Sequence, residues 1–295
     1  MRLAGVYAMA GLADDWAANR QTCVEVLCAY LRMPYEPDPG PGVPEPQRLA
    51  FMITREVRRT VIRVMTAHLR KDSVTSWQGL NLDFTGAVFD GADFSGTQFS
   101  GGTVLLEGAQ FCDGEVSFEG AEFTGATVYL RGARFAGGRV TFSGAHFRGG
   151  AVSFRNAEFS GGSVSFSGAE LTGGTLSFGG ARFSGAAVSF RVAEFSGSQV
   201  NFSGAHFSGG EVGFGGAEFS GGEVSFGGAE FSGGDVYFDD ARFSGSEVSF
   251  GGAQFTGGNV DLSGAGEWSF PPVYPWADAP PPGVKLPVRH QQQRA

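Results

Sequence analysis

Residues 82–101 read LDFTG AVFDG ADFSG TQFSG, which are four tandem units of five residues. Phe is the third residue of every unit, and a Leu, Ala or Thr stands two positions before it. Farther along, the period becomes twelve residues. Ala occupies every twelfth position from Ala109 to Ala265, and with few exceptions each begins the pattern Ala-x-Phe followed by Val-x-Phe. Repetition at a fixed period indicates a solenoid or another repeat architecture.

The repeat unit predicts very short strands. In Ala-x-Phe and in Val-x-Phe the two named side chains alternate with a period of two, so both lie on one face of a strand. Gly-Gly and Ser-Gly pairs between the strands supply tight corners. Because two strands enclose too little space for two Phe rings, we predict four sides per coil. A coil of about 24 residues then gives about eight coils and a rod ~38 Å long, at ~4.8 Å per coil.

The predicted fold is mainly β, with a parallel quadrilateral β-helix over residues 78–265 behind a small α-helical N-terminal module over residues 1–77. Open ladders promote aggregation, so both ends of the rod need covers. We expect the helical module to cover the first end. Residues 266–295 are predicted to form a C-terminal cap and a disordered tail rich in Pro and Gln. In that cap, Trp268, Phe270 and Pro271 are expected to close the core.

The N-terminal module is predicted to contain three amphipathic helices. Apolar residues at i, i+3, i+4 and i+7 indicate two helices within the first 33 residues and a third from about Gln47 to Arg70. Residues 34–46 contain six prolines and are predicted to be a loop, because proline interrupts a helix.

The repeats resemble those of the pentapeptide-repeat proteins, whose signature is a small residue, any residue, then Leu or Phe, at every fifth position. Residues 82–104 match in strict form, and residues 105–265 match a stretched form in which steps of five and seven residues alternate. The flanks RLAGVYAMAGLADDW and PPVYPWADAPPPGVKLP look like those of actinobacterial members. The resemblance implies a right-handed parallel quadrilateral β-helix without catalytic residues. For some members it also implies mimicry of DNA toward type II topoisomerases.

Charge and cysteine content bear on the cellular compartment. The net charge is −9, but residues 82–265 contain 20 acidic residues and 8 Arg, so the rest of the chain is mildly basic. The three cysteines have no metal-ligand spacing and are too few for a disulfide framework, which favours a reducing compartment. No apolar run reaches 18 residues, so no transmembrane helix is predicted. We expect a cytoplasmic protein, with peripheral membrane association as an open alternative.

Six acidic residues form the candidate partner-binding site: Glu211, Glu218, Glu223, Glu230, Asp235 and Glu247. Four of them occupy the same slot of successive repeats, so the coil length stacks Glu211 on Asp235 and, on the opposite side, Glu223 on Glu247. Carboxylates ~5 Å apart repel each other. They either imitate phosphates for a basic partner or form a charged coat that keeps the rod from aggregating.

Basic residues form two further candidate features. Arg55, Arg59 and Arg63 make an i, i+4 stripe on the third helix, which either contacts nucleic acid or anionic lipid or is a solvated face. Five arginines of the first repeats weaken the DNA-mimic hypothesis, and we expect them to pair with neighbouring Glu columns: Arg131, Arg134, Arg139, Arg148 and Arg155.

No motif predicts catalysis, a metal site or a cofactor. His146 and His206 are two and a half coils apart and so are expected on opposite faces, and no His is placed to activate the outward Ser residues. We therefore expect a non-enzymatic scaffold for an unknown protein partner, with no direct binding of nucleic acid. The alternatives are a DNA-mimic modulator of gyrase and a membrane-associated structural protein, and a homodimer stays open.

Overall fold

The computed structural model describes residues 2–277 and 279–287. Three α-helices precede the repeats: α1 Arg2–Asp15, α2 Arg20–Arg32 and α3 Glu45–Leu69. The predicted start of α3 and the predicted end of the Pro-rich loop are wrong by two residues, because α3 includes Pro46 in its first turn. Proline is tolerated there, since the first N–H groups of a helix have no partner inside it. Within the described residues, no helix combines the length and apolar character needed to cross a bilayer.

Twenty-seven strands follow α3 in the described part of the chain. The first eleven are β1 Leu82–Asp83, β2 Val88–Phe89, β3 Ala92–Asp93, β4 Gln98–Phe99, β5 Thr103–Leu105, β6 Gln110–Phe111, β7 Glu115–Ser117, β8 Glu122–Phe123, β9 Thr127–Tyr129, β10 Arg134–Phe135 and β11 Arg139–Thr141. The next eight are β12 His146–Ser153, β13 Glu158–Phe159, β14 Ser163–Ser165, β15 Glu170–Ser177, β16 Arg182–Ser189, β17 Glu194–Asn201, β18 His206–Gly213 and β19 Glu218–Ser225. The last eight are β20 Glu230–Phe231, β21 Asp235–Tyr237, β22 Arg242–Phe243, β23 Glu247–Ser249, β24 Gln254–Phe255, β25 Asn259–Asp261, β26 Glu267–Trp268 and β27 Val284–Lys285.

The strands stack in parallel, one coil upon the next, into a solenoid of about eight coils. Phe123 pairs with Phe147, so one coil contains 24 residues, as the sequence predicts. On two sides the first coil is shorter, and Leu82 pairs with Val104 after 22 residues. The difference arises because the first coil has three steps of five residues and one of seven, whereas later coils have two of each.

Strand segments form four columns, named faces 1 to 4 in the order of β1 to β4. Face 1 includes β5, β9 and β23, face 2 includes β6, β10, β13, β20 and β24, face 3 includes β7, β11, β14, β21, β25 and β27, and face 4 includes β8, β22 and β26. The eight-residue strands bend around a corner: β12, β15, β17 and β19 join face 4 to face 1, and β16 and β18 join face 2 to face 3. The other two corners are tight four-residue turns, in most coils Phe-x-Gly-Ala, in which the Ala121 N–H, for example, donates to the Phe118 carbonyl at 3.1 Å.

Phe rings stack in columns inside the solenoid. Phe135 and Phe159, one coil apart, have ring centroids 4.7 Å apart and planes within 5° of parallel. Neighbouring columns interlock edge to face, as Phe142 and Phe154 do at 5.9 Å and 84°. Each aromatic pair contributes about 0.5–1.5 kcal/mol beyond the burial of its area. Because these contacts join one coil to the next, each coil depends on its neighbours for stability and the coils fold together.

The helical module closes the N-terminal end of the solenoid through a buried guanidinium group. Arg58 on α3 is 4% exposed and donates to the carbonyls of Leu31 at 2.8 Å and Val88 at 2.7 Å. Its guanidinium also lies over the Tyr35 ring, 4.3 Å from the centroid. Burial lowers the pKa of Arg58. One side chain thus connects α3 to the end of α2 and to the first coil.

Aromatic side chains close the C-terminal end. Trp268 meets the last Phe ring of face 4 edge to face at 5.1 Å, and Tyr274 stacks on Trp276 at 4.6 Å. The expectation that Phe270 and Pro271 close the core is wrong, because both are exposed. The chain turns back after them, and this brings Tyr274 and Trp276 over the last coil instead.

The described part of the C-terminal cap extends well into the segment predicted as a tail. β27 pairs with β25 through Val260 and Val284, which adds a final strand to face 3. Residues 288–295, which hold the Gln-rich end of the predicted disordered tail, lie outside the described residues.

Candidate partner-binding surfaces

Two carboxylates stack on face 3. Glu211 and Asp235 are register partners, with Glu211 exposed and Asp235 half-buried. The neighbouring Val212 is buried, so strand alternation directs both acids outward. The equivalent positions of the two preceding coils hold Ser163 and Ala187. The fold therefore accepts neutral residues at this position, and the acids are not needed to build the coil.

A second pair of carboxylates stacks on face 1. Glu223 and Glu247 are register partners, and both are exposed. The preceding coils hold Thr175 and Gln199 at this position. The register thus matches the predicted stacking, with the two acid pairs on opposite sides of the coil. Within the described residues, none of the four acids forms an ion pair.

The acid pair on face 3 acts on a neighbouring hydroxyl group. Tyr237 follows Asp235 on β21, with its side chain on the outer surface. Desolvation and then the negative charge of Asp235, with smaller effects of Glu211 and Asp239, raise the pKa of Tyr237. The part of this shift that the three carboxylates cause reflects the negative charge beside the Tyr237 hydroxyl group.

The remaining two residues of the predicted site lie on other faces. Glu230 is on face 2, where its Oε2 lies 3.0 Å from His206 Nδ1. Glu218 is on face 4, in register between Glu194 and Arg242. Four of the six predicted residues therefore form the two stacked pairs on faces 1 and 3, while Glu230 lies on face 2 and Glu218 stacks on Glu194 on face 4. The six residues do not form one cluster.

Some of the charges in the near half of the solenoid, residues 105–191, form ion pairs between neighbouring coils. Three of the five arginines expected to pair with Glu columns do so: Arg134 with Glu158 at 3.6 Å, Arg139 with Glu115 at 3.7 Å and Arg148 with Glu170 at 3.7 Å. Within the described residues, Arg131 and Arg155 form no ion pair. The far half, residues 192–262, contrasts with this arrangement because carboxylates stack on one another there, in the two acid pairs and also where Glu194 is in register with Glu218.

The basic stripe on α3 separates into two parts. Arg55 binds the solenoid, with its Nε 2.9 Å from Asp90 Oδ2. Arg59 and Arg63 are exposed and line an open cleft of about 800 Å³ between α3 and face 3. Sequence reasoning missed Arg58, which is buried among the apolar residues of the helix. The spacing could have indicated its burial, since Arg58 falls outside the i, i+4 stripe of arginines and on the apolar side of α3.

Groups capable of acid–base or nucleophilic chemistry are dispersed. His146 and His206 lie on faces 4 and 2, opposite each other as predicted, and each contacts a Glu one coil away. Burial raises the pKa of the Cys28 thiol to about 12 and also raises the pKa of Cys112, so both stay protonated and weakly nucleophilic at neutral pH. Among the described residues, no group of three or more His, Cys, Asp and Glu side chains is arranged to hold a metal ion.

The fold and its surfaces define a parallel β-solenoid with a helical cap, which is a structural scaffold type. The family model for pentapeptide repeats (9 copies) matches four overlapping segments, residues 84–134, 112–151, 130–176 and 166–218. The chain is a pentapeptide-repeat protein. No curated protein and no solved structure matches it significantly. The actinobacterial type stays a prediction.

Proposed function

We propose that the protein is a non-enzymatic scaffold that binds a protein partner with a basic surface through the acid pairs of faces 1 and 3. The observation that supports this is the in-register stacking of Glu211 on Asp235 and of Glu223 on Glu247, without ion pairs. Like charges opposite each other in a sheet are destabilising. Acidic residues that only keep the rod from aggregating do not have to be in register with one another. Complementary charges on a partner, in contrast, offset the repulsion between the stacked carboxylates.

An oligolysine peptide tests this proposal. Its affinity for the full chain is measured by fluorescence anisotropy over a series of salt concentrations. The site variant combines Glu211→Gln, Glu223→Gln, Asp235→Asn and Glu247→Gln. The control variant removes the same charge from the near half with Glu107→Gln, Asp113→Asn, Glu158→Gln and Glu170→Gln. We expect the site variant to weaken binding about tenfold and the control to change it less than about threefold. Equal losses in the two variants contradict the proposal.

The second candidate function is that of a DNA mimic that modulates a type II topoisomerase such as gyrase. Rows of carboxylates on two opposite faces support it, since a duplex also presents two rows of negative charge. Arg182, His206 and Arg242 interrupt the negative surface on faces 2 and 4, and this places the candidate second. In gyrase supercoiling and cleavage assays, an effect that fades with salt and with charge reversal at the four acids supports mimicry. The absence of any effect at high protein excess contradicts it.

The third candidate function is structural, at a membrane surface. Leu49, Met52 and Ile53 are exposed on the first half of α3, an arrangement that suits an interfacial helix. Flotation with anionic liposomes compares the full chain with the variant Leu49→Glu/Met52→Glu/Ile53→Glu. We expect the variant alone to stay at the bottom of the gradient if this function holds, and failure of the unmodified chain to float rules it out.

A further inference from the structure

The first strand of face 3 presents backbone groups to the end of the solenoid. The Phe94 N–H donates to the Ser117 carbonyl of the next coil at 2.7 Å. Backbone groups along a strand point alternately to its two sides. The N–H and C=O of Asp93, which is in register with Ser117, therefore point away from the next coil and toward α3.

The equivalent edge groups on other faces of the first coil have partners in the helical module. Asp83 holds the same position on β1, and its carbonyl accepts a hydrogen bond from Arg32 Nη1 at 2.9 Å. At the start of face 4, Arg70 forms an antiparallel bridge with Thr97. Within residues 2–277 and 279–287, no group of the helical module hydrogen-bonds to the backbone of Asp93. The edge of β3 is thus open where its counterparts are closed.

The cleft between α3 and face 3 lies over this open edge, and its two walls carry opposite charges. The helical wall contains Arg59, Arg63 and Arg70, and the solenoid wall contains Asp93, Glu115 and Glu119. All six side chains are exposed. Among the described residues no ion pair joins one wall to the other.

Gly91 lines the cleft without placing a side chain in it. Gly91 occupies the position on face 3 that Glu115 and Arg139 occupy in the next two coils. A Cβ atom at Gly91 would lie 3.4 Å from the guanidinium of Arg59, and the φ of Gly91 is +134°, which side chains rarely adopt. The absence of a side chain therefore lets Arg59 lie beside Gly91, the residue that precedes β3.

We propose that this cleft binds an extended segment of a partner protein in which acidic and basic residues alternate. Such a segment adds to the edge of β3 and pairs with the N–H and C=O of Asp93, as in other cases of β-strand addition. Successive side chains of a strand point to opposite sides. Acidic residues then face Arg59 and Arg63, and the alternating basic residues face Asp93 and Glu119. The cleft volume of about 800 Å³ lies within the usual range for ligand sites.

Two labelled peptides of identical composition test whether binding requires acidic and basic residues to alternate. One is four repeats of Glu-Lys, and the other is four Glu followed by four Lys. Fluorescence anisotropy with the full chain is expected to give an affinity about tenfold higher for the alternating peptide, a difference of ~1.4 kcal/mol. Equal affinities, or no binding of either peptide, overturn the proposal.

A charge-reversal variant localises the site. Arg59→Glu/Arg63→Glu is expected to weaken the alternating peptide about tenfold, whereas the matched control Arg131→Glu/Arg155→Glu, with the same charge change outside the cleft, leaves it unchanged. Equal losses in the two variants overturn the proposal. Oligolysine binding at faces 1 and 3 is not expected to fall in either variant, so the two proposals fail separately.

Hydrogen exchange tests strand addition in the unmodified protein and does not depend on how the variants fold. The alternating peptide is expected to slow exchange in the segment that contains Asp93, because its amide gains a hydrogen-bond partner. The segment that contains Asp83 has the same position on face 1 and serves as the internal control. Unchanged exchange at Asp93 on saturation with the peptide overturns the proposed strand pairing.

Discussion

The near and far halves of the solenoid have the same interior and different exteriors. Rings one coil apart on face 2 have centroids 4.7 Å apart in both halves. Outside, the near half pairs Arg134 with Glu158, whereas the far half stacks Glu211 on Asp235. Inward residues thus determine the coil, and outward residues vary without altering it. Stacking of like charges is therefore a property of the outer surface that the coil itself does not require.

The largest expected effect tests whether the two interiors are energetically equal. Phe154 and Phe226 occupy the same ring column in the near and far halves, and both are fully buried. Phe154→Ala and Phe226→Ala are each expected to lower the free energy of unfolding by about 3–5 kcal/mol, because each leaves a cavity between stacked rings. Chemical denaturation followed by circular dichroism measures the loss, and an unchanged m-value shows that the array still unfolds as a unit. A cost below about 1 kcal/mol in only one half contradicts the comparison.

Backbone strain at the junction of the two halves gives a smaller effect. Val192 has a φ of 51° at a tight corner, the left-handed region that a β-branched residue adopts at a cost of about 1–2 kcal/mol. Because Val192 is exposed, its replacement loses little packing. Val192→Gly is expected to raise stability by about 0.5–1 kcal/mol after the entropy cost of glycine. The reverse change one coil later, Gly216→Val, is expected to lower it, and thermal unfolding measures both. Destabilisation by Val192→Gly contradicts the assignment of strain.

Neutralising one carboxylate in each half is expected to give effects of opposite sign. Glu158 lies between Arg134 and Arg182, at 3.6 and 3.5 Å, so Glu158→Gln lowers stability by about 0.5 kcal/mol. Glu211 stacks on Asp235, so Glu211→Gln raises stability by a similar amount. Denaturation at low and at high salt measures the two effects, and both shrink at high salt because exposed charges are screened. Effects of the same sign mean that the exteriors do not differ electrostatically.

Much of the solenoid could be predicted because its inward residues repeat without interruption. The alternation of Ala-x-Phe and Val-x-Phe determines which side chains face inward, and the space that the rings need determines the coil length. The two ends depend on contacts that occur once. Arg58 joins segments far apart in the chain, and Tyr274 reaches the core only after the chain turns back past Phe270. No repeating pattern in the sequence predicts such contacts.

The candidate surfaces could be predicted to a similar, partial extent. Stacking of Glu223 on Glu247 follows from the coil length alone. Grouping Glu218 with them by closeness in sequence ignored the corner that separates the two strand segments of β19. The cleft was not predictable, because it juxtaposes Arg59 and Glu115, which are far apart in the chain, and depends on how α3 packs against face 3.

The smallest expected effect concerns Tyr237, whose hydroxyl group reports the potential over the far half. Desolvation, then the charge of Asp235 and a hydrogen bond with it, and then the charge of Glu211 raise the pKa of Tyr237. Glu211→Gln/Asp235→Asn is therefore expected to lower the pKa toward the ordinary value of about 10. The pKa of Tyr237 is higher in the folded protein than in the unfolded chain. The contribution of Tyr237 to stability is therefore complete at pH values below the pKa of the unfolded chain, and it is lost as the pH rises through the pKa of the folded protein. The difference in tyrosinate absorbance between the unmodified protein and Tyr237→Phe isolates this group from the other tyrosines. If higher salt lowers the pKa as the double variant does, the charges of the far half are the cause. If neither changes it, desolvation alone accounts for the shift, and the far surface is less negative than its stacked carboxylates indicate.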